Sequence, residues 1–341
     1  MKRMLVFGLL LTLFVALTAC KQNNNSVPLI LYNEQDPYIL GFKEYIMEHA
    51  ENRISIVSYD SQNSQVLQNE LIDDILLDNP QLIIVNPVDR LGAYTIIDQA
   101  KEKDIPIIFI NREPLPEDMN RYDKVYYIGA PAETGALIQV DMVVELFGNP
   151  FGMSNLDRNN DNTIQLLVLK GEQGHQDAEI RTEVVLEELE ALGYDLDILS
   201  IEICDWQKQI AHDKMMEFLT QDPDASQLEL VISNNDYMAI GAIDAMIELG
   251  VFHDVNDDGV MDPTIDDWIP VLGIDAIEEA IAYVRDGYLY GTVLNDSETM
   301  SIYLVDLVEA LLNGVDLATL DFVLEDGKYI WVDYKKYEET E

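Results

Sequence analysis

Positive charge is scarce in this chain. Its 341 residues hold 20 Lys+Arg against 64 Asp+Glu, a formal net charge of −44. A surface this acidic is repelled by phosphate backbones, which excludes nucleic acid as a partner. Electrostatic docking on anionic lipid is excluded on the same ground. Cysteine is nearly absent, with Cys20 and Cys204 alone. There is no Gly-rich phosphate loop, so a nucleotide site lacks its usual cradle, and no basic helix-turn-helix. What remains is globular: 48% hydrophobic and 9% aromatic residues can bury substantial cores. The length suits roughly two or three domains of about 100–200 residues each.

The N-terminus reads Met1-Lys2-Arg3, an apolar run from Met4 to Leu17, then Leu17-Thr18-Ala19-Cys20. A positive start, a short apolar stretch and small residues make an export signal, and about fourteen residues are short for a membrane span. The tetrapeptide resembles a bacterial lipobox, which implies cleavage before Cys20 and lipidation of its thiol. A thioether-linked lipid plus an N-terminal acyl chain supplies the two hydrophobic signals that stable anchoring needs. Residues 1–19 are then a signal peptide and 20–26 a polar tether. Loss of Lys2 and Arg3 takes the mature chain of 322 residues to a net charge of −46. With Cys20 lipidated no intramolecular disulfide can form, although the compartment would permit one. Cys204 reads as a small buried strand residue.

Beyond the tether, short apolar runs alternate with helical patterns. Expected strands are Pro28–Tyr32, Ile54–Tyr59, Leu82–Asn86, Pro106–Ile110 and Val125–Ile128, then Ile164–Leu169, Asp197–Ile203, Glu229–Ser233, Pro270–Ile274 and Leu289–Leu294. Most are continuous Val/Ile/Leu/Phe runs, which suits strands buried on both faces. Val66, Leu67, Ile72, Ile75 and Leu76 fall near helical spacing, as do Val184, Leu186, Leu189 and Leu192. Repeated βα units predict parallel sheets flanked by helices. Ten strands are many for one twisted sheet, so two sheets of about five or six, in two similar domains, are expected.

In such sheets ligands bind beyond the carboxyl ends of the strands. Those positions carry Asp36 and Tyr38, Asn111, His175, Asp177 and Arg181, Trp206, Asn235, Asp275 and Asn295. Any single Asp or Asn there serves equally well as a helix N-cap. Jointly, carboxylates, amides, an Arg, a His and two aromatics converging on one cleft make the chemistry of a carbohydrate site. Sugar hydroxyls need donors and acceptors in fixed positions, and the apolar faces of a pyranose need flat aromatics. The residues alone leave a sugar hydrolase open, with His175 and Asp177 as an acid–base pair, and also a calcium-dependent surface sensor.

At these positions the chain resembles the periplasmic galactose/glucose-binding proteins that feed ABC sugar importers. The resemblance is carried by Tyr59 to Asn63 (YDSQN), Phe109 to Pro114 (FINREP), Tyr126 to Gly129 (YYIG), Lys170 to Thr182 (KGEQGHQDAEIRT), Ile232 to Ala242 (ISNNDYMAIGA) and Gly291 to Asp296 (GTVLND). It implies an α/β type I periplasmic-binding-protein fold, in which two Rossmann-like domains with parallel sheets are joined by a three-crossover hinge. The implied crossings lie near Gly129–Ala130, Val293–Asn295 and Trp331–Asp333. The first domain would hold 27–129 and 296–331, and the second 130–295 and 332–341. It implies sugar contacts from Asp36, Tyr38 (in place of a stacking Phe), Asn111, His175, Asp177, Arg181, Trp206, Asn235, Asp275 and Asn295, with D-galactose or D-glucose as ligand. The protein would be a monomer and no enzyme. Its partners would be ABC permease subunits and a chemoreceptor, with the membrane reached through the Cys20 lipid. It would reside at the outer face of the cytoplasmic membrane or in the periplasm.

Two loops carry calcium-like spacing. Asp157, Asn159, Asp161 and Gln165 occupy positions 1, 3, 5 and 9 of an EF-hand-like loop, with the Thr163 carbonyl at position 7. The resemblance completes this site with Glu229. A second run places Asp254, Asn256, Asp258, Val260 and Asp262 at positions 1, 3, 5, 7 and 9, with Gly259 at position 6 and Asp266 just beyond. The resemblance does not cover it. One Ca2+ is expected in the first loop, and the second offers a site for another.

Overall fold

The computed structural model describes residues 26–338, apart from 223–224, 257 and 263–264. The expected signal peptide, Cys20 and the rest of the expected tether before Ser26 lie outside the described residues. Four parallel βα units and a fifth strand open the chain: β1 Val27–Leu31, α1 Pro37–Ala50, β2 Ile56–Asp60, α2 Gln65–Leu77, β3 Ile83–Val85, α3 Ala93–Glu102, β4 Ile107–Ile110, α4 Pro116–Met119 and β5 Val125–Gly129. The chain then passes through α5 Ala132–Phe147 and a small hairpin, β6 Gly148–Asn149 with β7 Gly152–Met153. A second series follows as β8 Thr163–Lys170, α6 Gln176–Ala191, β9 Asp195–Ile203, α7 Lys208–Gln221, β10 Leu230–Ser233, α8 Asp236–Glu248, β11 Val271–Leu272, α9 Glu278–Arg285 and β12 Val293–Leu294. The remainder is α10 Ser297–Asn313, β13 Tyr329–Trp331 and β14 Lys335–Lys336.

The strands form a six-stranded sheet in the order β13-β5-β4-β3-β1-β2 and a four-stranded sheet in the order β11-β10-β8-β9. All pairings within both are parallel. The chain therefore leaves the first lobe after β5 and returns with α10, which packs on α1 and buries Met300, Leu304 and Leu307 in the first lobe's core. It adds β13 to the first sheet and leaves again to pair β14 antiparallel with β12. Three strands joining two doubly wound lobes is the expected architecture.

Central strands are buried throughout, as continuous apolar runs require. β3, β4 and β10 have no exposed residue, whereas the edge strands β2 and β9 are partly exposed. The second sheet has fewer hydrogen-bonded strands than expected. The Leu289–Leu294 run meets it only through the bridges Leu272↔Gly291 and Asp275↔Leu294, and keeps strand geometry at Val293–Leu294. β13 and β14 were not anticipated, because their short, mixed runs carry little periodicity. Helix readings also shift at the ends. Val66 at the start of α2 and Leu192 just past α6 are exposed, and the buried stripes run through Gln68, Ile72, Ile75 and Leu76 and through Val185 and Leu189. Cys204 is buried, just beyond β9, and burial pushes its thiol up to about 12.

The helices of the second lobe pack closely. A Cβ on Gly241 of α8 would run into the Lys208 carbonyl oxygen of α7. Backbone on backbone leaves no flexible neighbour to give way. Gly241→Ala should therefore destabilise the second lobe by about 1–3 kcal/mol, read as a fall of several degrees in thermal unfolding. An unchanged midpoint would mean that α7 and α8 can separate at no cost.

Candidate functional site

One cavity between the lobes is lined by Asp36, Tyr38 and Asn111 from the first lobe and by His175, Asp177, Arg181, Trp206, Asn235, Asp275 and Asn295 from the second. Tyr32 and Arg112 complete its wall. The space it encloses, counting its open mouth, is about 350 Å³. Two polar links cross between the lobes beside it: Arg112 donates to Glu172 at 3.3 Å and Gln176 Nε2 donates to Glu113 at 2.9 Å.

The capping and binding readings of these residues are compatible, because several do both. Asp36 caps α1, its Oδ1 accepting from the amides of Tyr38 (2.9 Å) and Ile39 (3.3 Å) while Oδ2 accepts from the Tyr32 hydroxyl. Tyr38 follows in the first turn and turns its hydroxyl toward the Met300 sulfur at 3.9 Å, which leaves its ring to the cavity. Asn111 sits past β4 at φ 62°, a conformation Asn tolerates, with its carbonyl accepting from the Tyr127 hydroxyl at 2.8 Å.

Across the cleft, His175 caps α6 through Nδ1, which accepts from the Asp177 amide at 3.2 Å. That bond leaves Nε2 as the N–H donor. Burial, then the charges of Arg112 and Arg181, hold its pKa well below the usual histidine value, so the ring is neutral. Arg181, one turn on, donates to the Asn234 carbonyl (2.6 Å), the Tyr334 hydroxyl (2.6 Å) and Asp177 (3.4 Å). Trp206 lies at φ 64°, with its ring edge-on to His175 at 5.2 Å. It lies so close to Gly171 that a Cβ there would strike the indole. Asn235 caps α8 by accepting from the Met238 amide at 3.0 Å, and Asp275 accepts from Asn295 at 3.2 Å.

Burial raises the pKa of Asp36, Asp177 and Asp275, the last most strongly. Burial also works against the Arg181 charge, but Tyr334, Asp177 and Asp275 outweigh it and its pKa is raised. Several buried polar atoms of the lining residues have no partner: Trp206 Nε1, Arg181 Nε, Arg112 Nε and Asn295 Oδ1. Buried polar groups are normally satisfied, so this set calls for a ligand carrying donors and acceptors. Sequence reading missed Tyr32, Arg112 and Tyr334. Arg112 adjoins Asn111 in the FINREP run, and its guanidinium lies 4.0 Å over the Tyr32 ring. A cation directly after a strand end was the available signal.

The first acidic loop is folded around its own oxygens. Asp157 accepts from the amides of Asp161 (3.1 Å) and Asn162 (3.0 Å), and Asn159 and Asp161 accept from amides two residues on. Glu229 spans the loop by accepting from the amides of Arg158 (2.6 Å) and Gln165 (3.3 Å). Gln165 Oε1 is buried without a partner, which fits a hard cation seeking oxygen. The second loop repeats the frame. Asp254 accepts from Asp258 and Gly259, Asn256 from Asp258 and Asp258 from Val260. Asp266 spans it through the amides of Val255 (2.8 Å) and Asp262 (2.7 Å), the same two loop positions that Glu229 serves in the first. Among the described residues, no group of three His, Cys, Asp or Glu side chains is placed to hold a metal by itself. The first loop would rely on amide and carbonyl oxygens as well.

A family model described as a periplasmic binding protein domain matches residues 27–316. The D-galactose/methyl-galactoside binding periplasmic protein of Haemophilus influenzae is 34% identical over 294 residues, covering 85% of this chain and 82% of the relative. A Bacillus halodurans ABC transporter solute binding protein, solved with bound myo-inositol, superimposes with a TM-score of 0.72 at 23% identity, covering 92% of this chain and 94% of that one. An Actinobacillus succinogenes counterpart with bound D-allose gives a TM-score of 0.72 at 19% identity, covering 92% and 97%.

The raised carboxyls have a stability consequence. A carboxyl whose folded-state pKa is raised costs nothing below the ordinary carboxylate range and destabilises the fold increasingly as pH rises to its folded value. At neutral pH, Asp275→Asn should raise the unfolding midpoint of the ligand-free protein by a few degrees, about 2–4 °C per kcal/mol recovered. A lowered midpoint would show that the ionised form is already compensated.

Proposed function

The chain belongs to the periplasmic binding protein family, and on that premise we propose that it is the extracytoplasmic receptor of an ABC importer for D-galactose or D-glucose. It is a binding component of transport and not an enzyme. The observation that carries the sugar reading is the set of buried, unpartnered donors and acceptors in a cavity walled by the rings of Tyr38 and Trp206. Hydroxyls donate to Asp36, Asp177 and Asp275 and accept from Arg181, Trp206 and Asn111, while ring C–H faces rest on the aromatics. Because contacts come from both lobes, sugar favours the closed arrangement. The permease subunits and a chemoreceptor then read that closed form, and a lipid on Cys20 keeps the receptor at the membrane. The three acids of the cavity outnumber its two cations, Arg112 and Arg181, which favours a neutral sugar over an anionic one.

We also propose that the first loop holds one structural Ca2+, through Asp157, Asn159, Asp161, Thr163, Gln165 and Glu229. The unpartnered Gln165 Oε1 supports this. The second loop shares the hydrogen-bond frame and is where a second ion would sit, on Asp254, Asn256, Asp258, Val260, Asp262 and Asp266. Native mass spectrometry of calcium-equilibrated protein should count two ions. A count of one would reject the second site, and a count of zero both.

Calorimetry of calcium-loaded protein against galactose, glucose, ribose and xylose tests the main reading. A hexose should bind with about 8 kcal/mol or more, that is micromolar or tighter; no heat with either hexose would contradict it. Trp206→Ala should weaken that binding about tenfold or more by removing a stacking face. The ionised carboxylates are the better acceptors, so affinity should fall on acidification. The loss should begin above the ordinary carboxylate range near pH 4, because burial raises Asp36, Asp177 and Asp275. A flat profile down to that range would show that these acids do not accept from the ligand.

A further inference from the structure

We propose that Asp236 is a positioning residue for the ligand site: lying behind the cavity wall, it holds the strained turn that presents Asp275. The proposal rests on the sugar reading above. Asp236 is fully buried at the start of α8 and is absent from the cavity lining. Its amide donates to the Ile274 carbonyl at 2.7 Å, its Oδ1 accepts from the Thr292 hydroxyl at 2.6 Å, and its Oδ2 accepts from the Ile277 amide at 3.1 Å. It therefore grips both ends of the segment from Ile274 to Ile277.

Between those ends lie Asp275 at φ 121° and Ala276 at φ 54°, two consecutive non-glycine residues with positive φ. Such conformations persist only where the surroundings over-determine them. The Thr292 hydroxyl, itself held by Asp236, accepts from the Ala276 amide at 3.3 Å, and the Asp275 amide donates to the Val293 carbonyl at 2.7 Å. Gly273 marks how close the approach is, since a Cβ there would collide with Asp236 Oδ1. Asp275 in turn accepts from Asn295. One buried carboxyl thus holds the turn that aims Asp275, and through Asp275 the site also gains Asn295.

The arrangement is costly, which argues that it is kept for a reason. Thr292 and the Ala276 and Ile277 amides are neutral donors, and burial pushes the Asp236 carboxyl up to about 7. A buried acid without a direct cationic partner lowers stability. Asp236 also adds to the charge that raises Asp275. A core with no ligand to serve would gain by an apolar residue here.

The test is a double-mutant cycle read by calorimetry with galactose and glucose, with thermal unfolding as the check on folding. Asp236→Asn should weaken hexose binding about tenfold in the otherwise unchanged protein and in an Asn111→Ala background, but less than about threefold in an Asp275→Asn background. A merely structural role would give the same loss in every background. If Asp236→Asn does not fold, Thr292→Val carries the same cycle, with an expected loss of about threefold. Binding within twofold of wild type by the folded Asp236→Asn protein, or equal losses in the Asp275→Asn and Asn111→Ala backgrounds, would overturn the proposal alone. Absence of hexose binding by the unchanged protein would overturn the sugar reading, and this proposal with it.

Discussion

The buried guanidinium of Arg181 ties together the parts of the molecule that must agree for the cleft to exist. It reaches the Asn234 carbonyl at the end of β10, Asp177 on its own helix, and the Tyr334 hydroxyl beyond the third crossing. A sheet end, a helix start and an interlobe strand are thus held to one charge. A buried cation is tolerated only where it is paired and hydrogen-bonded. Here the pairing is with the acids that face the cavity. Remove Arg181, and Asp177 and Asp275 lose the charge that offsets their burial. The geometry that receives a ligand and the energetics that allow buried carboxylates are therefore the same interaction.

Scarcity of positive charge shapes the exterior too. Some cations outside the cleft are shared between two acids: Arg53 bridges Asp306 and Glu309, Lys208 bridges Asp244 and Glu279, and Lys214 bridges Glu202 and Glu217. Each is a partly exposed pair of small individual worth. They hold helices to their neighbours in a chain where most acids must face solvent alone. The net charge of −44 is a property of the outside. Inside the cleft, Arg112 and Arg181 stand against Asp36, Asp177 and Asp275, a much closer balance.

Much of this was legible in the residues. Continuous apolar runs such as Ile107–Ile110 announce central strands because burial on both faces leaves no place for polar residues. Polar residues just past each run announce the cleft, because strand ends all point one way in a parallel sheet. Short elements were not legible. Tyr329–Trp331 and Lys335–Lys336 have too few residues for a period, and their partners β5 and β12 lie far away in sequence. Tyr334 was missed for a related reason: it reaches the site only through Arg181 and carries no spacing of its own, whereas Arg112 stood in plain view just past the β4 run. Asp236 is the extreme case. In the sequence it reads as one more helix-start acid, and its role emerges only from a turn far downstream, at Asp275 and Ala276.

Everything in the cleft turns on where a sugar lies. The most direct measurement is a crystal structure of the mature protein grown with D-galactose. It should show the ring between Tyr38 and Trp206, its hydroxyls on Asp36, Asp275 and Arg181, and the lobes closed with Arg112 on Glu172. A sugar bound elsewhere, or an empty cleft at saturating sugar, would contradict it.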